Sequence, residues 1–206
     1  MEERIFFHSG GLKIEGLLDT HAGQKAVVVT HPHPLYGGTM HNNVVESVLK
    51  AYDSKGYTTL RFNFRGAGAS EGVHDKGIGE QEDVRSALDF LHERGKSAID
   101  LAGYSFGAWV NAQAIGDNEG IDRMIMVSPP VQFLDFSFVT HCSGLRLVIT
   151  GSLDDIAPPD MIAKDLPRWN GDAALRIIEG ADHFYGEQTD EIERIIGAFL
   201  EGKGRS

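Results

Sequence analysis

A serine between two glycines is the residue whose setting points most clearly to chemistry. Residues 103–107 read Gly-Tyr-Ser-Phe-Gly and lie between an apolar run, 98–102, and an Ala-rich segment, 108–115, that is typical of a helix. In a strand–turn–helix setting, Gly-x-Ser-x-Gly forms a sharp turn that lifts the serine hydroxyl above the sheet. The helix N-terminus that follows favours developing negative charge. Ser105 is therefore a candidate nucleophile, provided that a base and an acid accompany it.

A serine hydroxyl needs a base within hydrogen-bond reach, and the base needs a third group to orient it. Asp154 follows the apolar run 145–150, and His183 lies in a loop after the run 174–178. Where the nucleophile sits on such a turn, the acid and then the histidine follow it along the chain. The sequence therefore predicts Ser105 as the nucleophile, His183 as the base and Asp154 as the orienting acid.

Two other aspartates compete with Asp154 for the role of the acid. Asp155 is its neighbour, and Asp135 follows the apolar run 121–127, whose end can also hold the acid in such folds. Asp154 has a simpler interpretation too, as the residue that caps the next helix or braces its turn.

Three other histidines compete with His183 for the role of the base. His31 and His33 precede the serine, which breaks the expected order, and His141 has no glycine-flanked loop around it. A surface-loop histidine is the simpler interpretation of His183. The order of the residues favours His183 as the base.

The segment His-Pro-His-Pro at 31–34 follows a β-branched run, 24–30. A metal site is one interpretation, because His-x-His is a common ligand spacing. No carboxylate or cysteine lies nearby in sequence, and serine chemistry needs no metal, so we expect neither a metal nor another cofactor.

The favoured interpretation of this loop is an oxyanion hole, in which two backbone N–H groups meet the negative oxygen of a tetrahedral intermediate. One donor would be Phe106, the residue after the nucleophile, and the other would come from the loop after the early strand. Proline has no N–H group. His33 is therefore the best candidate for the second donor, with Leu35 as the alternative.

A glycine-rich segment at 65–72 resembles a dinucleotide-binding loop only in part. The third glycine of that fingerprint would fall at Glu71, and the segment does not belong to the first strand–helix unit. We expect a tight loop at the rim of the site instead.

The periodicity of the apolar residues predicts how these side chains are positioned. Runs of strand period alternate with runs of helical period, which indicates an α/β fold with a mostly parallel central sheet and helices on both faces. Residues 1–206 are expected to form one domain, with a frayed tail from 202 onwards. Predicted strands are 5–7 and 12–18, an N-terminal antiparallel hairpin, then 24–30, 57–64, 98–102, 121–127, 145–150 and 174–178; predicted helices are 44–52, 80–94, 108–115, 158–166 and 191–200.

Composition excludes several classes of partner. The 206 residues include 19 Lys and Arg against 30 Asp and Glu, a net charge of −11. This balance argues against nucleic acid and against an anionic membrane surface. Cys142 is the single cysteine, so no intramolecular disulfide forms. No apolar run has the length of a signal peptide core or a membrane span, so a cytoplasmic protein is expected.

The motifs together resemble the α/β-hydrolase superfamily over about residues 10–200, and within it the small bacterial serine hydrolases near the dienelactone-hydrolase-like esterases. Two positions depart from the usual pattern: proline follows His31 where glycine is common, and Ser105 stands where a dienelactone hydrolase proper has cysteine. The motifs that carry the resemblance are His31-Pro32-His33-Pro34-x-Tyr36-Gly37-Gly38, Arg65-Gly66-x-Gly68-x-Ser70-x-Gly72, Gly103-x-Ser105-x-Gly107, Gly151-x-x-Asp154 and Asp182-His183-Phe184.

The resemblance implies an α/β-hydrolase fold and a serine esterase. Family members often carry a lid domain before the strand at 145–150, but residues 128–144 are too few for a helical cap. An open, shallow site without a lid favours a small-molecule partner, a short-chain acyl ester or thioester. An acyl-thioesterase or a small peptidase would use the same residues, and a binding module without catalysis would keep the fold; these alternatives stay open, as does the oligomeric state.

Overall fold

A central sheet organises the computed structural model, which describes residues 1–115 and 120–202. Within these residues the sheet has eight strands in the order β1-β2-β4-β3-β5-β6-β7-β8. The first two pair antiparallel to each other and β2 pairs antiparallel to β4, whereas all later pairs are parallel. The strands are β1 (Glu3–Ser9), β2 (Leu12–Asp19), β3 (Lys25–Thr30), β4 (Thr58–Phe62), β5 (Ala98–Tyr104), β6 (Arg123–Val127), β7 (Leu145–Gly151) and β8 (Ala174–Ile178).

Helices cover both faces of this sheet. They are α1 (Asn43–Asp53), α2 (Ile78–His92), α3 (Phe106–Ile115), α4 (Pro159–Asn170) and α5 (Thr189–Leu200), with a 3-10 turn at Pro34–Tyr36. The mostly parallel sheet with helices on both faces and an N-terminal antiparallel hairpin is thus confirmed. The expected frayed tail from 202 onwards falls almost wholly on residues 203–206, which lie outside the described residues.

The alternation of side chains along β3 shows how one strand serves two cores. Val27 and Val29 are buried with the apolar faces of α1 and α5, whereas Ala26 and Val28 are buried with those of α2, α3 and α4. A run of small and β-branched residues without a polar position suits a strand that is covered on both sides. The centre of the sheet is therefore rigid where it carries the candidate nucleophile on the adjacent strand β5.

The helix α4 runs further than the sequence predicts. The sequence predicts an end at Leu166, before Pro167, but the helix continues to Asn170. Its last turn is held by tertiary contacts, since Trp169 is fully buried and the amide of Asn170 donates to the carbonyl oxygen of Leu145 at 2.9 Å. Burial of a large aromatic residue outweighs the hydrogen bond that proline removes.

The helix α2 begins earlier than expected, at Ile78 instead of Glu80. The Glu80 carboxylate is buried and accepts hydrogen bonds from the backbone N–H groups of Asp75 and Gly77, both at 2.8 Å. A glutamate in the first turn that caps preceding N–H groups stabilises the start of a helix.

The segment between β6 and β7 forms no lid. Residues 128–144 are all described, and they contain turns but no helix or strand. Phe136 fixes the segment to the body, with its ring 5.2 Å from that of Trp169. The absence of a lid domain, expected from the length of this segment, is confirmed. No helix within the described ranges has the length and hydropathy that crossing a membrane requires.

The glycine-rich segment after β4 is a tight loop fixed to β2. Gly68 has φ +54°, and a Cβ there would lie 2.1 Å from Nδ2 of Asn63. That amide donates to the buried carboxylate of Glu15 at 2.8 Å, and the hydroxyl of Ser70 donates to the carbonyl oxygen of Asn63 at 2.6 Å. The glycine thus leaves room for a buried polar network that fixes the loop.

Candidate active site

Ser105 occupies a strained turn between β5 and α3. Its φ is +53°, a left-handed conformation that few non-glycine residues adopt. The flanking glycines allow the turn, because a Cβ on Gly103 would lie 2.6 Å from the backbone nitrogen of Ala108. On Gly107 a Cβ would lie 2.8 Å from the carbonyl oxygen of His31, in the loop after β3. Close packing of three segments therefore holds the serine at the carboxyl edge of the sheet.

The three side chains that the sequence singles out meet above this edge. Oγ of Ser105 lies 2.9 Å from Nε2 of His183, and Nδ1 of His183 lies 2.9 Å from Oδ2 of Asp154. An ionised carboxylate can only accept, so Nδ1 carries a proton, and in the neutral ring Nε2 is the acceptor for the serine hydroxyl. The arrangement has the geometry of a nucleophile, a base and an orienting acid.

Asp154 is a buried carboxylate that is held in its charged form. Burial by itself raises the pKa of this carboxyl group, but the hydrogen bond and the charge of His183 oppose that effect. Further donors are the hydroxyl of Ser128 at 2.6 Å and the backbone N–H groups of Ile156 and Ala157, at 3.0 and 2.7 Å. Together they bring the pKa of Asp154 below its ordinary value.

The loop that carries His183 is fixed from several sides. The hydroxyl of Tyr104 donates to the carbonyl oxygen of His183 at 2.6 Å, and burial raises the pKa of that phenol. The carboxylate of Asp182 accepts from the backbone N–H groups of Phe184 and Tyr185, at 2.9 and 3.2 Å. The imidazole is therefore positioned by backbone contacts as well as by Asp154.

Ser128 and Tyr185 are residues that sequence reasoning missed. The hydroxyl of Ser128 donates its single hydrogen to Asp154. The Tyr185 hydroxyl, 2.6 Å away, therefore donates to the Ser128 oxygen. Both residues have left-handed backbones, with φ +45° and +53°. The signal that could have found Ser128 is its place directly after β6, at the edge where the other site residues meet.

The rival acids lie apart from the histidine. The Asp135 carboxylate accepts from the N–H and the hydroxyl of Ser137, both at 2.8 Å. Asp155 is exposed to solvent, as is the rival base His141. Among the described residues, Asp154 is the carboxylate that contacts His183.

The loop after β3 places His33 against the nucleophile turn. The imidazole of His33 packs on the ring of Phe106 with centroids 4.7 Å apart. Within the described residues, the backbone N–H groups of His33 and Phe106 have no hydrogen-bond acceptor, whereas the N–H of Leu35 donates to Nδ1 of His33 at 3.2 Å. The free donors of this corner are therefore the two that the sequence favours.

His31 has a structural setting. It is fully buried, and burial lowers its pKa to about 4. Its Nδ1–H group donates to the carbonyl oxygen of Pro32 at 2.6 Å, and Nε2 accepts from the backbone N–H of Phe64 at 3.0 Å. Neither ring nitrogen is free to bind a metal. The described ranges contain no group of three or more His, Cys, Asp or Glu side chains placed to hold a metal ion.

Comparison with known proteins gives one family and a curated relative. Residues 27–189 match the sequence model of the group described as the alpha/beta hydrolase family. An uncharacterized protein of Rickettsia prowazekii (strain Madrid E) is 35% identical over 209 residues, which cover 96% of this chain and 88% of the relative. The matched stretch contains Ser105, Asp154 and His183.

Solved structures share the fold over almost the whole chain. An alpha-beta serine hydrolase homologue from Coxiella burnetii has a TM-score of 0.89 and 31% identity, with 96% of this chain and 97% of that chain covered. A protein from Xanthomonas campestris, described as a serine hydrolase without a lid, has a TM-score of 0.86 and 29% identity, with 97% and 94% covered.

Proposed function

Because the chain belongs to the alpha/beta hydrolase family, we propose that it is a serine hydrolase that cleaves short-chain acyl esters. The observation that carries this proposal is the unbroken series of hydrogen bonds from Ser105 through His183 to Asp154. A carboxylesterase-like activity also fits the site, since the residues that the structure describes form no lid domain over the serine that could enclose a long acyl chain.

In the proposed first half of the reaction, Oγ of Ser105 attacks the acyl carbonyl carbon while Nε2 of His183 takes the hydroxyl proton. The carbonyl π electrons move to oxygen and form a tetrahedral oxyanion. Its collapse breaks the bond to the alcohol, and His183 returns the proton to that leaving oxygen. Asp154 keeps its charge throughout and stabilises the imidazolium.

Two backbone donors would hold the oxyanion. The N–H groups of Phe106 and His33 are both without an acceptor in the described structure, and the Phe106 donor lies at the start of α3, where the helix dipole favours negative charge. Loss of one such donor typically lowers turnover on the order of 100-fold or more.

The second half repeats these steps with water. His183 removes a proton from a water molecule, the hydroxide attacks the acyl-serine, and the tetrahedral intermediate expels Ser105 as it regains its proton. The products are the free acid and the regenerated enzyme.

The test combines covalent labelling with a substrate panel. A fluorophosphonate probe is expected to modify Ser105, and Ser105→Ala is expected to abolish both labelling and hydrolysis of p-nitrophenyl acetate while circular dichroism stays unchanged. Ser97→Ala is the matched control, because Ser97 is exposed directly before β5, at the opposite end of that strand. A binding module would leave Ser105 unlabelled in the native protein, and full activity in Ser105→Ala would refute the proposal.

The panel separates the substrate classes that use the same residues. Oxygen esters, thioesters and amides of one short acid, and then oxygen esters of increasing acyl length, are compared by kcat/KM. The proposal predicts the highest value for short oxygen esters. A higher value for the thioester or the amide would identify a thioesterase or a peptidase instead.

A further inference from the structure

Exposed large apolar side chains concentrate on the edge of the sheet that carries Ser105. Of the ten such side chains among the described residues, Met1, Phe138 and Ile177 lie elsewhere; the backbone on either side of Phe138 accepts hydrogen bonds from Arg168, in the last turn of α4. The other seven lie in the segments that follow the carboxyl ends of parallel strands, in loops or at the start of a helix. They are Leu35, Tyr36, Val73, Ile78, Phe133, Leu153 and Phe184. Exposed apolar side chains gathered on one surface mark a binding site more often than scattered ones do.

Four of these side chains stand directly beside the candidate active site, and we call Leu35, Tyr36, Leu153 and Phe184 the apolar rim. Each is between 66% and 88% exposed. The ring of Phe184 stands perpendicular to that of His183 with centroids 5.7 Å apart. The ring of Tyr36 lies 4.9 Å from that of His33, which in turn packs on the residue after Ser105. The rim therefore borders the reacting groups on two sides.

The backbone beneath the apolar rim is fixed although the side chains are exposed. Nδ2 of Asn43 donates to the carbonyl oxygen of Phe184 at 3.1 Å, which joins the loop after β8 to the start of α1. The N–H of Leu153 donates to the carbonyl oxygen of Ala181 at 2.9 Å, which joins the loops after β7 and β8. A rigid backbone that presents exposed apolar side chains is prepared for a ligand at little cost in ordering.

We propose that the apolar rim binds the alcohol part of the substrate, and that this part is an uncharged, bulky apolar group, most simply an aromatic one. This inference rests on the proposed function of Ser105. A permanent partner on the rim would cover Ser105 and His183, which are already 8% and 5% exposed, so the occupant has to arrive and leave with the substrate. Because the proposed acyl group is short, the alcohol part of the substrate has the larger apolar surface and is the part that contacts the rim.

The charges around the apolar rim define the chemistry of the occupant further. Asp155 and Asp182 are exposed on the loops that carry Leu153 and Phe184, Asp135 is exposed on the loop after β6, and the whole chain has a net charge of −11. Negative charge beside the rim disfavours anionic lipid headgroups and substrates that carry a carboxylate or phosphate. An uncharged apolar alcohol meets no such repulsion.

The test compares two acetate esters whose leaving groups have similar acidity but different apolar area, 2-naphthyl acetate and phenyl acetate. The second ring would lie on the rim without being fully enclosed. We therefore expect kcat/KM to be about tenfold higher for the naphthyl ester. In the double variant Tyr36→Ser with Phe184→Ser the ratio is expected to fall towards one, whereas Tyr36→Phe, which removes only the hydroxyl, is expected to keep it.

Ile177→Ser is the matched control, because it removes an exposed apolar side chain from β8, outside the rim, and is expected to leave both rates unchanged. Phenyl octanoate tests the alternative that the rim binds a long acyl chain. A selective loss with this ester in the double variant would overturn the assignment to the alcohol. An unchanged naphthyl preference in the double variant, or no preference in the native enzyme, would overturn the proposal altogether.

Two further measurements complete the test. Gel filtration and sedimentation with phosphatidylcholine vesicles are repeated for the native protein and the double variant. If the variant loses self-association or vesicle binding but keeps its ester preference, the rim is an interface and the substrate proposal is wrong. Failure of the proposed function is distinct, because Ser105→Ala would then retain hydrolysis of both acetate esters.

Discussion

Two aspartates are buried at opposite edges of the sheet, one by the amino ends of the parallel strands and one by their carboxyl ends. Different contacts stabilise the two buried carboxylates. Asp100 lies near the start of β5, and Asp154 lies in the loop after the end of β7. Both are almost fully buried. Asp100 is paired with the guanidinium of Arg123, 2.7 Å away, and accepts from the hydroxyl of Tyr52 at 2.9 Å. Asp154 faces an imidazole, a hydroxyl and two backbone N–H groups.

The pKa values of these two groups shift in opposite directions. Burial raises the pKa of Asp100, and the Arg123 and Tyr52 contacts do not fully offset it. Burial also acts on Asp154, but the contacts of its surroundings prevail, and its pKa is lowered. The contacts of Asp154, with His183 foremost, thus favour its charged form, whereas the contacts of Asp100 do not fully offset its burial.

The contacts of each aspartate suit the role of that residue. The contacts of Asp100 with Arg123 and Tyr52 fix its position and join β5 to β6 and α1. Asp154 must keep its own charge while its partner His183 gains and loses a proton in the proposed reaction. The hydroxyl of Ser128 and the two backbone N–H groups support this charge beside His183, and they do not compete with the imidazole for the role of the cation.

The largest expected effect separates the two aspartates by activity. Asp154→Asn is expected to lower kcat by about 10⁴-fold, because the amide no longer fixes the tautomer of His183 or stabilises its charged form. Steady-state hydrolysis of p-nitrophenyl acetate measures it. Asp135→Asn is the control and is expected to match the native rate. If Asp135→Asn gave the large loss instead, the acid would be wrongly assigned.

The second expected effect separates the two aspartates by stability. Asp100→Asn is expected to lower the free energy of unfolding by about 2 kcal/mol, since the amide has one acceptor oxygen where the carboxylate accepts from Arg123 and Tyr52 on both, so a buried donor is left unpaired. The side chain of Arg123 is 26% exposed, so water can solvate it in part, which limits the loss of stability. Urea unfolding measures the change, and kcat of the folded protein is expected to stay at the native value. A marked loss of kcat would show that the two ends of β5 are coupled.

The third effect concerns Ser128, which donates to Asp154. Ser128→Ala is expected to lower kcat about tenfold with little change in KM, because the carboxylate loses a charge-assisted hydrogen bond. Ser128→Gly removes the same hydroxyl but relieves the left-handed backbone, so it should regain about 1 kcal/mol of stability without regaining kcat. Native kcat in both variants would show that Ser128 has no part in positioning Asp154.

The smallest effect is the pH dependence of folding. The folded pKa of Asp154 is lowered, so its stabilising contribution is complete above the ordinary aspartate pKa of about 4 and is lost as pH falls through the folded value. The folded pKa of Asp100 is raised, so its contribution grows as pH falls through that value towards about 4. The two groups therefore act on acid unfolding with opposite sign.

Unfolding free energies between pH 3 and pH 6, roughly the range of these titrations, provide the check. Compared with the native protein, Asp154→Asn is expected to lose stability less steeply below about pH 4. Asp100→Asn is expected to lose it more steeply just above that pH. Equal slopes for all three proteins would contradict the contrast between the two carboxylates.

Much of the architecture could be predicted from the period of the apolar residues and from the order of the predicted strands and helices along the chain. The strands and helices alternate in the sequence, and Ser105, Asp154 and His183 each follow a parallel strand. Carboxyl ends of parallel strands meet at one edge, so their convergence follows from topology alone. The free N–H of His33 could also be anticipated, since the prolines on either side have none to donate.

Other features depend on contacts between distant segments that have no local signature. The last turn of α4 exists because Trp169 fills the core beside Phe136, which overrides Pro167. Ser128 and Tyr185 have left-handed backbones, which serine and tyrosine seldom adopt. Their residue types therefore do not predict these conformations. Both conformations follow from hydrogen bonds made across loops after β6, β7 and β8.

The loop of His183 lies between β8 and α5, and α5 packs beside α1 from the first part of the chain. This arrangement has a consequence for synthesis on the ribosome. Ser105 leaves the ribosome well before the segment with the proposed base, and a domain folds as a unit. In the proposed mechanism, a chain that is still being translated therefore carries a serine without its base, and the base is placed only when the late helix docks on the early one.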